Sequence, residues 1–194
     1  MKSKLICLVG LPGSGKTEVS EYLRSRKDFR FLRFGQLTLD RIIEMGKEPS
    51  EALEKEVREQ IRREHGMGAY ATLNIQKIET MLEAGDTLGD GLYSWEEYII
   101  LKEKFGDKLV VIAVYAPPKL RHRRLEHRSE RHGDDPKKVF RSFTKEEAKA
   151  RDVAQIERLN QAGPIAMADY TITNIKDLES LHNQIDTIFK EIYA

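Results

Sequence analysis

The 194-residue chain has a single cysteine, five histidines, no long apolar run and a formal charge of only +1. One thiol excludes an intramolecular disulfide, and Cys7 inside the apolar stretch LICLV reads as buried and inert rather than as a nucleophile. No stretch reaches the roughly 18 apolar residues that a membrane-spanning helix needs. The opening residues MKSKLICLVG lack the apolar stretch and small-residue cleavage site of a secretory signal, so a cytoplasmic location and no membrane partner are expected. His65, His122, His127, His132 and His182 are too dispersed to suggest a metal site. There is no internal repeat or low-complexity tract, and the length suits one domain with a substantial core.

What is present is unevenly distributed. Residues 119–151 hold twelve Lys/Arg against six Asp/Glu, which asks for an anionic partner. Near the other end, GLPGSGKT at 10–17 fits the P-loop pattern G-x-x-x-x-G-K-[ST]. Gly10, Pro12, Gly13, Ser14 and Gly15 form a loop whose N–H groups can point into a nest for phosphate oxygens. Lys16 is placed to reach the β/γ-phosphates, and the Thr17 hydroxyl to ligate Mg²⁺, at the positive end of a following helix. The strand-like KLICLV before the loop, and the helical spacing of Val19, Tyr22 and Leu23 after it, supply the context this motif requires.

Further along, apolar runs alternate with helical patterns. Strands are predicted at FRFLRF, DTLGD, KLVVIAVYA and DYTITN, with helices over 36–45, 50–64, 67–84 and 95–105, a long basic helical region, and a last helix from about Asp177. Such alternation predicts a parallel sheet covered by helices on both faces. Ser94 with Glu97 and Thr144 with Glu147 fit capping boxes. Leu178, Leu181, Ile185, Ile188, Phe189 and Ile192 form one apolar stripe, read as core. The segment RHGDDPKK is read as a mobile polar loop.

Several side chains are candidates for chemistry. Asp90 and Gly91 lie where a strand ends, and in open parallel sheets ligands collect at strand carboxyl ends. There Asp90 is a candidate to hold a Mg²⁺-bound water or accept a proton, with an Asx-type turn as the plainer reading. Arg121, Arg124, Arg128 and Arg131 recur at helical spacing; either they stabilise a transferring phosphoryl group, with Arg124 and Arg128 foremost, or they form a solvated face. Arg151 is a further candidate, with an i,i+4 pair to Glu147 as its structural alternative. Arg41, Arg58 and Arg62 are candidates for acceptor binding, although Arg58 also pairs with Glu54 at i,i+4.

GLPGSGKT, DGLYS, the basic segment, ARD at 150–152 and ITN at 172–174 together resemble the nucleoside-monophosphate-kinase group, which includes adenylate kinase and dephospho-CoA kinase. The HGMGAYA and DGLYSWEE stretches are most similar to an adenylate-kinase-related, dephospho-CoA-kinase-like branch. The resemblance covers nearly the whole chain. It implies an α/β, three-layer P-loop NTPase fold over residues 1–194, with a five-stranded parallel sheet in the order 2-3-1-4-5. It also implies an acceptor segment at about 36–85 and a lid at about 120–145. ATP and Mg²⁺ follow as cofactors, a nucleotide-like small molecule as acceptor, and a monomer or homodimer as the assembly. Arg124 and Arg128 fall on the lid side, Arg151 at the phosphates, and Asn174 at the adenine end with Ile175 and Lys176 flanking the base. Two departures stand out: Gln36 occupies a place where related sequences carry an acid, and Leu92, Tyr93 and Ser94 follow Asp90 where adenylate kinases carry an arginine. These admit a regulatory NTP switch acting through a protein partner. A nucleic-acid-end kinase is less favoured, because the basic segment is poor in aromatic residues for base stacking.

Overall fold

LICLV is apolar at every position, and a strand sends alternate side chains to opposite faces, so it must be covered twice. In the computed structural model, which describes residues 3–26, 29–132 and 142–194, it is. Strand β1 (Leu5–Val9) buries Leu5, Cys7 and Val9 in one core, and Ile6 and Leu8 in another on the opposite face. β4 (Leu109–Tyr115) divides its side chains the same way, with Val111 in the first core and Val110, Ile112 and Val114 in the second.

The remaining strands are β2 (Arg30–Arg33), β3 (Thr87–Asp90) and β5 (Tyr170–Thr173). All pairings are parallel, in the order β2-β3-β1-β4-β5, as the resemblance implies. One face is covered by α1 (Lys16–Arg26) through Val19, Tyr22 and Leu23, and by α10 (Leu178–Ile192) through Leu181, Ile185, Ile188 and Phe189. The other carries α2 (Gln36–Glu44), α3 (Glu51–His65), α4 (Ala69–Ala84) and α5 (Trp95–Phe105). Helices α6 (Pro118–Glu126), α7 (Arg128–His132), α8 (Lys145–Glu157) and α9 (Ala162–Ala166) fill the span between β4 and β5.

Both capping boxes form. Ser94 Oγ accepts from the Glu97 N–H at 3.0 Å and Thr144 Oγ1 from the Glu147 N–H at 3.1 Å, each glutamate reaching back to the cap N–H. Two expectations need correction. Leu178 is 56% exposed rather than core: it is the first residue of α10, whose buried residues begin at Leu181. The basic region is not one helix: α6 closes at the cap His127, with φ −101° and ψ 24°, and α7 restarts at Arg128. The short helix α9 has no counterpart in the sequence reading. Most of RHGDDPKK falls within residues 133–141, outside the described residues.

Candidate functional site

The P-loop leaves the carboxyl end of β1, whose neighbours are β3 and β4. All three of its glycines, Gly10 (φ 147°) included, have a positive φ that a side chain would not tolerate. At Gly13 (φ 76°) a Cβ would lie 2.6 Å from the Arg121 carbonyl oxygen, and at Gly15 (φ 104°) it would run into the Asn174 carboxamide. Lys16 Nζ folds back on the loop, donating to the Gly10 carbonyl at 2.6 Å and more weakly to Leu11 at 3.4 Å. Burial lowers its pKa to about 8; Asp90 opposes that shift, and the charges of Arg121 and Arg128 add to it. Thr17, the second residue of α1, is exposed.

Register places Leu8 beside Asp90, so the carboxylate stands at the strand end next to the loop, as expected for neighbouring strands. Its charge is felt at Lys16, Cys7 and Tyr93. Gly91 packs under the Tyr93 ring and Phe34. Burial pushes the Tyr93 phenol up to about 12; Asp90 adds to the shift, while Arg33 and Arg58 oppose it. The Cys7 thiol is likewise pushed up by burial, in keeping with an inert side chain.

The basic segment separates into different roles. Arg121 is not a solvent-facing cation. It is buried, pairs Nη1 and Nη2 with the two carboxylate oxygens of Asp152 at 2.6 and 2.8 Å, and donates to the Ala116 carbonyl at 3.0 Å and the Pro12 carbonyl at 3.1 Å. His122 Nε2 lies 2.9 Å from the same carboxylate. This group ties α6 and α8 to the P-loop. Arg124 Nη2 donates to Asn174 Oδ1 at 3.2 Å, and Asn174 Nδ2 donates to the Ser14 carbonyl at 2.8 Å. Asn174 therefore clips the end of β5 to the loop and to α6. The Arg151 guanidinium lies 4.4 Å from the centre of the Phe143 ring, at a small cluster with Leu125 and Ala148. Ile175 is half exposed.

On the α2–α5 side, Arg58 pairs with Glu54 at 3.3 Å and the half-exposed Arg41 approaches Glu64 at 3.8 Å. Arg62 covers the Tyr70 ring at 5.3 Å, and Tyr70 shares a 2.6 Å hydrogen bond with Thr38. Gln36 donates to Asp40 at 2.9 Å. Glu97 lies beneath this region, fully buried. Its Oε2 accepts from the Tyr93 and Ser94 N–H groups at 2.8 and 3.1 Å, while Oε1 has no hydrogen-bond partner among the described residues. Burial pushes its pKa up to about 7 against those two bonds and the Arg62 charge.

Asp152 and Tyr93 entered the sequence reading only within ARD and DGLYS, without roles of their own, and Gln161, whose Nε2 lies 3.4 Å from the Gly10 carbonyl, carries no local signal. Oxygen donors from Thr17 and Asp90 beside a phosphate nest have the hard chemistry that suits Mg²⁺. Among the described residues no group of three or more His, Cys, Asp or Glu is assembled for another kind of metal.

A family model described as an AAA domain matches residues 6–153. A UPF0200 protein of Sulfurisphaera tokodaii is 32% identical over 97% of this chain and 97% of its own. One of Thermococcus gammatolerans is 30% identical over 97% and 95%. Among solved structures, TT1252 from Thermus thermophilus superposes with a TM-score of 0.63 at 21% identity, covering 98% of both chains. A shikimate kinase from Bacteroides thetaiotaomicron gives 0.58 at 14%, covering 98% and 99%, and a gluconokinase from Sinorhizobium meliloti 0.58 at 12%, covering 99% and 97%. The fold is that of P-loop kinases.

Proposed function

The chain belongs to the AAA domain family and to the UPF0200 proteins, and on that premise we propose that it is an ATP-dependent small-molecule kinase with a nucleotide-like acceptor. The observation that carries the reading is the convergence of Lys16, Asp90 and Arg128. The charges of Asp90 and Arg128 both reach Lys16, and Asp90 stands at the carboxyl edge of β1 and β3 beside the loop. The naming of two structural neighbours as gluconokinase and shikimate kinase supports phosphoryl transfer over simple nucleotide binding.

In this reading Lys16 and the amides of Gly13, Ser14 and Gly15 hold the donor phosphates, and Thr17 and Asp90 hold Mg²⁺. The metal, when bound, neutralises charge on the β- and γ-oxygens. Asp90 is also placed to accept a proton from the acceptor, whose oxygen forms a bond to the γ-phosphorus as the bond to the β,γ-bridging oxygen breaks and ADP leaves. Arg124, Arg128 and Arg151 stabilise charge on the transferring group, and Asn174 fixes the donor end of the loop. Arg58, Arg62 and Gly91 shape the acceptor region, with Arg41 at its rim. Catalysis comes mainly from positioning and electrostatics.

The test is ADP release from Mg·ATP by wild type and Lys16→Ala. The panel comprises nucleoside monophosphates, nucleosides, dephospho-CoA, shikimate, gluconate and short oligonucleotide ends. One acceptor is expected to raise release by orders of magnitude and to yield its phosphorylated product, with Lys16→Ala inactive. Release at the rate of water hydrolysis with every acceptor would overturn the kinase reading in favour of a nucleotide switch.

A further inference from the structure

Two carbonyls of the P-loop are held from outside the loop by side chains that belong to other elements. Arg121 Nη1, from α6, donates to the Pro12 carbonyl at 3.1 Å, and Asn174 Nδ2, from the end of β5, donates to the Ser14 carbonyl at 2.8 Å. A peptide unit is planar and, here, trans, so its N–H points away from its own carbonyl oxygen. Holding the Pro12 carbonyl on the Arg121 side therefore turns the Gly13 N–H to the other side, and holding the Ser14 carbonyl turns the Gly15 N–H likewise. Both anchors stand on the α6 side of the loop, where Arg124 joins Asn174 at 3.2 Å, so the two N–H groups turn the same way. Neither donates to an acceptor among the described residues. Unpaired backbone donors turned to one side of a nest are what a phosphate oxygen satisfies.

Of the two anchors Arg121 is the more constrained. Its buried guanidinium forks onto Asp152 at 2.6 and 2.8 Å and donates through Nε to the Ala116 carbonyl at 3.0 Å, which fixes its plane. Its backbone closes on the same peptide, since a Cβ at Gly13 would lie 2.6 Å from the Arg121 carbonyl oxygen. We propose that Arg121 is a positioning residue for phosphate binding: without touching the nucleotide, it fixes the Pro12–Gly13 peptide so that the Gly13 N–H is already aimed when phosphate arrives. A peptide aimed in advance needs no reordering on binding. Asp152 acts at one remove, by holding the guanidinium. This is neither of the roles that helical spacing suggests for the arginine, and it rests on the nucleotide-binding reading of the loop.

Affinity measured beside stability separates this role from general packing. Wild type, Asp152→Ala and the pair Arg121→Met with Asp152→Leu are titrated with Mg·ATP well below their unfolding transitions, and unfolded in urea without nucleotide. The apolar pair keeps the packing but removes the donor to Pro12. It is expected to be the more stable of the two variants and to bind Mg·ATP about tenfold more weakly than wild type. Asp152→Ala keeps the Arg121 bond to Pro12, and is expected to be the less stable variant and the tighter binder. Affinities that follow the order of the stabilities would overturn the inference, as would wild-type affinity in the apolar pair. Amide spectra of isotope-labelled protein supply a readout that packing would not move. Mg·ATP should shift the Gly13 and Gly15 amide resonances of wild type. In the apolar pair the Gly13 shift should shrink while Gly15, still held through Asn174, responds as before. Equal loss at both glycines, or loss at neither, would overturn the inference. If the apolar pair does not fold, Arg121→Lys carries the same test, because an ammonium has no planar fork to hold Asp152 and Pro12 together. Failure of wild type to bind Mg·ATP would overturn the nucleotide reading and the inference with it. Binding by wild type with an undisturbed Gly13 in the variant would overturn the inference only.

Discussion

Replacing Asp152 with alanine would leave the Arg121 guanidinium buried without its counter-charge. The pair is bidentate at 2.6 and 2.8 Å, and the two side chains are 4% and 12% exposed, so solvent screens it little. Removing one partner of such a pair costs about 3–5 kcal/mol, because the remaining charge cannot be rehydrated in place. The bonds from Arg121 to Ala116 and Pro12 persist and offset part of that loss, which puts the expected value near the lower bound. In a protein of this length each kcal/mol moves Tm by roughly 2–4 °C, so a fall of roughly 6–12 °C is expected. Urea unfolding at pH 7 gives the free energy directly. Arg121→Met combined with Asp152→Leu should recover at least half of it by exchanging paired charges for apolar packing. The pH dependence adds a check. Burial raises the Asp152 pKa, but hydrogen bonds from Arg121 and His122 outweigh it and hold the carboxyl below its ordinary 3.8. The pair's stabilisation is therefore present above that value and lost as pH falls below it, and Asp152→Ala should lack this acid sensitivity. A loss under about 1 kcal/mol, the size expected of an exposed pair, would refute the reasoning.

Three other outcomes follow from the same geometry. Glu97 has a folded pKa raised from 4.5 to about 7, so its contribution is fully present below pH 4.5 and lost as pH rises to about 7. Glu97→Gln should flatten that part of the stability curve in urea titrations, and an unchanged slope would count against it. Lys16, with its pKa lowered to about 8, is expected to make affinity for Mg·ATP fall above that pH, by about tenfold per unit; a flat profile to pH 10 would remove its ammonium from phosphate binding. Ser94→Ala should cost about 1–2 kcal/mol by thermal unfolding, since Ser94 Oγ both caps α5 and donates to the Met67 carbonyl at 3.0 Å. A loss within error would show that the cap contributes nothing.

What could be read from sequence was what the chain encodes locally. The double-faced apolar pattern of LICLV, the two capping boxes and the P-loop spacing each depend on residues within a few positions of one another, and the structure forms all of them. The sheet order came from resemblance and agrees with the structure. Asp90 beside the loop needed only the adjacency of β1 and β3. Arg121 shows where local reasoning stops. Helical spacing grouped it with Arg124 and Arg128, but its partner is 31 residues away on α8, and no periodicity records a pairing made by tertiary packing. The end of α6 at His127 was likewise unannounced, since no glycine or proline stands there. Gln161 lies 151 residues from the Gly10 carbonyl that its carboxamide approaches, so no local pattern could mark the contact.

The Asn174 clip and the Arg121 hub divide the molecule into parts with different freedom to diverge. Around the P-loop, the loop, α6, α8 and β5 are stitched by directed bonds between particular atoms, each made by one side chain of fitting length. The α2–α5 side is held largely by apolar contacts among residues such as Ile42, Val57, Ile61, Ile78 and Leu101, which tolerate exchange while volume is kept. Exchange of apolar side chains of similar volume is therefore expected to be tolerated on the α2–α5 side, and exchange of the stitching residues around the loop is not.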